Sequence, residues 1–187
     1  MGIICCKINS KYIPIFVQHS ADKKLVQSQG FLDVRVVGIN TPFKRITITK
    51  TGGQHGSDSM FAVPMVDEML DESMGFFLRT AGQKTIFFAG DTTWHEYVKL
   101  ALTKHKPDYI VLNIGEATYD GFDGNLIMGT NEVKKCYEFW KTVKIITVHM
   151  YAINHCICTR EIMRKFVDVN KFGDRVIIPN DGEIKTL

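Results

Sequence analysis

His55, Asp91 and His149 each close a run of residues that reads as a strand. Gln54-His55-Gly56 comes after Lys44 to Thr49, Ala89-Gly90-Asp91-Thr92 after Lys84 to Ala89, and Val148-His149-Met150 after Lys144 to Thr147. Imidazole nitrogen and carboxylate oxygen are ligands for zinc and neighbouring first-row metals, and a carboxylate can bridge two ions. Strand ends that share one sheet edge can bring such groups into a single cleft. The glycines beside His55 and Asp91 allow the close backbone approach that aiming a side chain into a crowded site requires. Each residue also has an ordinary reading: His55 as a solvated loop histidine, Asp91 as a helix N-cap together with Thr92 and Thr93, and His149 as a histidine satisfied at the rim of the core.

The elements that would position these groups follow from periodicity and turn chemistry. Ile13 to Val17 reads as a strand, followed by a helix over Ser20 to Gln29 that Gly30 ends. Asp33 to Val37 and Lys44 to Thr49 alternate polar and apolar residues as half-buried strands do. The Gly- and Ser-rich stretch Thr51 to Ser59 reads as a loop and Pro64 to Ser73 as an irregular acidic connection. Gly75 to Arg79 and Lys84 to Ala89, separated by Thr80-Ala81-Gly82-Gln83, predict a hairpin. Helix and strand then alternate: helix from Trp94 to Lys104, strand Tyr109 to Asn113, helix Asn131 to Lys141 capped by Thr130, strand Lys144 to Val148, helix Thr159 to Val169 and strand Arg175 to Ile178. An opening rich in strands followed by alternating β and α elements predicts one domain, residues 1–187, of α/β or layered α+β class.

Composition excludes several alternatives. The 187 residues are 45% hydrophobic and 23% charged, which is ordinary for one globular domain. The apolar runs fall far short of the roughly 20 residues that cross a bilayer, so no membrane partner is expected. The net charge of +3 is spread along the chain without a Lys or Arg block, so no nucleic-acid partner is expected either. Five cysteines without regular spacing suit a reducing cytoplasm. No Gly-x-Ser-x-Gly marks a serine hydrolase and no Gly-x-Gly-x-x-Gly a dinucleotide enzyme.

Taken in order, Ile13-Pro-Ile-Phe-Val-Gln, Gly52-Gly-Gln-His55-Gly56, Met74-Gly-Phe-Phe-Leu, Thr85-Ile-Phe-Phe-Ala-Gly-Asp91-Thr92, Pro107-Asp-Tyr-Ile-Val-Leu-Asn113, Val148-His149 and Pro179-Asn-Asp-Gly-Glu183 resemble the motifs of the metallo-β-lactamase superfamily. The likeness runs from Ile13 onward and is closest to the lactonase-like branch, whose members include L-ascorbate-6-phosphate lactonase. It implies an αββα sandwich and a site for two divalent ions, zinc or manganese. In that site the histidine matching His55 binds one ion, the aspartate matching Asp91 bridges both, and the histidine matching His149 binds the other. The activity it implies is hydrolysis of a small-molecule lactone, ester or phosphoester by metal-bound hydroxide, with Asp91 and His149 as the catalytic pair. His155, in Ile153-Asn-His-Cys-Ile-Cys158, is a further candidate for substrate contact or for support of the metal ligands.

The chain departs from the family in one respect. The His-x-His-x-Asp-His signature belongs upstream of the segment matching Ile13 to Val17, and Met1 to Tyr12 contains no His, Asp or Glu. The expectation is therefore a fold truncated at its N-terminus, with two protein ligands per ion and a metal affinity lowered by orders of magnitude. His19, His95 and His105 are expected on the surface. An uncovered sheet edge favours a homo-oligomer. The competing expectation is a non-catalytic remnant of the fold that acts by binding or self-association.

Overall fold

The structure is a computed structural model that describes residues 10–70, 72–151 and 156–187. Its centre is a seven-stranded sheet in the order β3 (Asn40–Phe43), β4 (Ile46–Gly53), β5 (Ser73–Arg79), β6 (Ile86–Phe88), β7 (Tyr109–Asn113), β8 (Lys144–Val148) and β9 (Val176–Ile177). The first four strands pair antiparallel and β6 through β9 pair parallel. Parallel neighbours need crossovers, and α4 (Glu96–His105), α5 (Thr130–Phe139) and α6 (Arg160–Asn170) lie in those connections. A separate parallel pair, β1 (Ile15–Val17) with β2 (Val34–Val36), is bridged by α1 (Ser20–Ser28).

Strand alternation divides the large sheet into two different faces. The in-register row Phe77, Phe87, Ile110, Ile145 and Val176 is buried under Val98 and Leu102 of α4, Val133 of α5 and Met163 of α6. The opposite row, Phe76, Phe88, Val111, Ile146 and Ile177, is equally apolar and only half-buried. Stacked rings occur on both faces: Phe77 on Phe87 with centroids 4.4 Å apart, and Phe76 on Phe88 at 4.9 Å.

Much of the expected element order is present. The hairpin forms between β5 and β6, with Gln83 N donating to Thr80 O at 3.1 Å and Gly82 at φ 73°. Gly30 sits past α1 at φ 91°. Thr159 caps α6 by accepting from Ile162 N.

Five local expectations are corrected. Thr51 to Gly53 is not loop but the end of β4, paired with Ser73 to Gly75, because a glycine at 52 leaves room for the Tyr97 ring, which a Cβ would meet at 2.9 Å. The rest of that stretch begins a helical turn, α2 (Asp58–Phe61), and Pro64 opens α3 (Pro64–Leu70) where an irregular connection was expected, since proline at a first helical position forfeits no hydrogen bond. Lys44 is a left-handed turn residue at φ 54°, and the unforeseen β3 folds back through it onto β4. His105 is not a plain surface histidine: its ring lies 4.7 Å from that of Phe77. His95 is half-buried at the start of α4, with Nδ1 out of reach of solvent and of any hydrogen-bond partner among the described residues.

Candidate functional site

The parallel strands β6, β7 and β8 lie side by side, so their C-terminal ends emerge together. Phe88 pairs with Val111, and Asn113 pairs with Val148 one residue before His149. Beyond β6 the chain turns at Gly90, whose φ of 76° suits glycine, and whose place against Met74 O would put an added Cβ only 2.5 Å from that oxygen. Ser73 Oγ then donates to Asp91 O at 2.6 Å, fixing the turn against the start of β5.

Asp91 and His149 meet at this edge, with His149 Nε2 3.7 Å from Asp91 Oδ1. The same Oδ1 accepts from Asn113 Nδ2 at 2.6 Å, so the middle strand orients the carboxylate that the two outer strands bring together. The other imidazole nitrogen, Nδ1, faces Cys156 Sγ at 4.0 Å. His149 holds this position in a left-handed backbone conformation, φ 63°, as does Tyr151 at φ 61°. Asp91 is not a helix N-cap, since α4 begins at Glu96 with His95 in the cap position.

His55 follows β4 by two residues, and among the described residues it does not join Asp91 and His149 in a three-membered ligating group, although its neighbour Gln54 is bonded to the turn after Asp91. Thr92, wholly buried, accepts the Gln54 amide on Oγ1 at 2.8 Å, while Gln54 O accepts from Thr93 N at 2.8 Å. Thr92 O in turn accepts from Met128 N at 3.2 Å. One threonine therefore ties the segment carrying His55 to the turn carrying Asp91. Sequence reasoning quoted Thr92 and Asn113 within motifs and Thr92 beside a possible N-cap, but gave neither a role at the site; the signal for both was a polar residue in or just after an otherwise apolar strand.

No group of three or more His, Cys, Asp and Glu placed to hold a metal is present among the described residues. The Asp91–His149 pair has suitable spacing: ligands at about 2.0–2.2 Å from a tetrahedral ion stand roughly 3.3–3.6 Å apart, close to the observed N to O separation. Asp91 and His149 thus fit two positions of a metal shell. His155 lies outside the described residues.

Next to His149 a cavity of about 440 Å³ is walled by Thr147, Tyr151, Arg160 and Asn180. A broader groove of about 1010 Å³ runs along the other flank, past Lys50, Gln54, Ser73 and Tyr97. Behind the site, burial pushes Glu116 above the usual carboxylate range, opposed by a hydrogen bond from the Thr130 backbone, and lifts the Cys158 thiol to about 12. No helix among the described residues is long and apolar enough to cross a membrane.

Comparison with known proteins bears on this arrangement. No family model matches the chain. It is 32% identical over 177 residues to the UPF0173 protein YddR of Bacillus subtilis (strain 168), covering 95% of this chain and 67% of that protein. Among solved structures, a possible metal-dependent hydrolase from Veillonella parvula DSM 2008 superposes with a TM-score of 0.92 at 40% identity, over 95% of this chain and 68% of the other. An isothiocyanate hydrolase from Delia radicum gut bacteria gives 0.91 at 35% identity, with coverage of 95% and 68%. The metallo-β-lactamase fold protein YhfI from Bacillus subtilis, at 14% identity, shares the fold with a TM-score of 0.64, over 96% of this chain and 68% of that one.

Proposed function

This chain belongs to the UPF0173 family and has the metallo-β-lactamase fold, and from that membership we propose that its β6–β8 edge is the centre of a metal-dependent hydrolase. The observation that carries the reading is the Asp91–His149 pair, with its carboxylate held by Asn113. Asp91 and His149 would hold a divalent ion, zinc or manganese, with His55 contributing from the neighbouring segment as the family resemblance implies. When bound, such an ion supplies Lewis acidity that polarises a substrate oxygen and draws the pKa of water toward neutrality.

The chain's own residues position the reactants. Asn113 keeps Oδ1 of Asp91 turned toward His149, and Cys156 beside Nδ1 leaves Nε2 of His149 for the cleft. Thr92 keeps the His55 segment in register with both. Tight hydrogen bonding of this kind limits the reorganisation needed as charge develops. The substrate is a small molecule with an electrophilic carbon or phosphorus: a lactone, ester or phosphoester, or an isothiocyanate like that of the similar hydrolase.

A second reading, a fold retained for binding or self-association, has in its favour the two-donor pair standing without a third donor among the described residues. One experiment separates the two. The purified chain is assayed for bound zinc and manganese and for hydrolysis of a γ-lactone, an aryl ester, an aryl phosphodiester and benzyl isothiocyanate, alongside Asp91→Asn, His149→Ala and His55→Ala. Bound metal, with turnover that falls at least about 100-fold in the first two variants, supports the hydrolase. Turnover that is absent throughout, with no metal bound, favours the binding protein, and turnover indifferent to both variants overturns the assignment of this pair as the active centre.

A further inference from the structure

We propose that the cavity beside His149 is a subsite for an oxyanion, a carboxylate or phosphate group carried by the substrate away from the bond that is cleaved. This rests on the hydrolase reading above for its link to catalysis, but not for the binding itself. His149 and Arg160 line the same cavity of about 440 Å³, so a ligand seated there spans from the Asp91–His149 pair to a guanidinium.

Arg160 is held as a receptor is held. Its side chain is only 15% exposed, Nε donates to Pro179 O at 3.0 Å, and the guanidinium carbon lies 5.7 Å from the Tyr151 ring centroid. Its charge partner is held quite differently. Asp181, which accepts from Arg160 Nη2, has a side chain 85% exposed and lies on a turn, Asn180 to Gly182, at the rim of the cavity.

An ion pair between one fixed and one solvated member is worth little to stability, because the exposed carboxylate forgoes hydration and side-chain freedom to make it. It is well suited to exchange. A ligand carboxylate or phosphate can take the place of Asp181 on the fork of donors that guanidinium presents, while Asp181 swings into water without leaving a buried charge unpaired. Asp181 then acts as an internal placeholder that keeps Arg160 extended into the cavity when no ligand is there.

The test uses the whole chain, with inorganic phosphate and succinate as probes, titrated by calorimetry and by the Arg160 Nε–H resonance. Saturable binding that shifts this resonance, weakens about 10- to 100-fold in Arg160→Gln and tightens several-fold in Asp181→Asn is the expected result. Phosphate and succinate compared side by side show which oxyanion the fork prefers. Asp181→Asn alters only an exposed side chain, so it remains informative if Arg160→Gln fails to fold. An unmoved Arg160 resonance, or binding that Asp181→Asn leaves unchanged or weakens, overturns the subsite. Hydrolysis of neutral esters without anion binding removes this inference alone, whereas anion binding without any hydrolysis removes the catalytic reading alone.

Discussion

Asn113 reaches from the last residue of β7 to Asp91, past the end of β6, and donates to the same carboxylate oxygen that faces His149. The hydrogen bond is short, 2.6 Å, and its donor residue pairs with Val148 in the parallel ladder with β8. Partners of metal ligands commonly contribute 10- to 100-fold to affinity or rate. Asn113→Ala should therefore lower metal affinity and kcat/KM by about that factor while circular dichroism stays unchanged; equal activity in the two proteins would show that Asp91 needs no orienting donor.

Thr92 has a different task, since its hydroxyl accepts a backbone amide inside the protein. Thr92→Val keeps the shape and leaves the Gln54 N–H without its acceptor. The expected loss is about 1–3 kcal/mol in denaturant unfolding, with faster amide exchange at Gln54 and Thr93 than elsewhere in β4. An unchanged unfolding midpoint would mean that water reaches this amide.

His105 makes stability depend on pH. Burial against Phe77, with Arg79 and Lys104 nearby, holds its imidazole below the ordinary value of 6.5. The unfolded chain then takes up a proton at a higher pH than the folded one, so this contribution is complete above 6.5 and is lost as the pH falls below it toward the folded value. His105→Phe retains a ring against Phe77 and removes the titration. Thermal unfolding from pH 7.5 to 5.5 should show a larger fall in Tm for the native chain than for this variant; parallel curves would assign the acid sensitivity to other groups.

The half-buried row Phe76, Phe88, Val111, Ile146 and Ile177 bears on association. Contiguous apolar surface of this kind marks a contact site or an aggregation liability. The chain should elute from a sizing column larger than a single copy, and Ile146→Glu should shift it toward the monomer. Elution as a monomer at micromolar concentration would argue against a homo-oligomer built on this face.

Much of this architecture was legible in the residues. The buried strands β7 and β8 and the hairpin at Gly82 announced themselves because continuous apolar runs and turn glycines have few other uses. His55, Asp91 and His149 could be singled out because each follows a stretch that reads as a strand. What could not be read was governed by contacts distant in sequence. Glycines at 52 and 53 looked like loop until Tyr97 and Ser73 were in place around them, and Pro64 looked like a break until it proved to start a helix. The paired Asp91 and His149, and the donor between them, depend on strand order, which alternation along a single strand does not encode.

At position 149 the comfort of the chain and its chemistry pull in opposite directions. A left-handed backbone costs most residues about 1–2 kcal/mol and glycine almost none, and a glycine there would carry no imidazole. The histidine keeps its uncomfortable posture at φ 63° with a second such residue only two places on, so the floor beneath this nitrogen is wound tight before any ligand arrives.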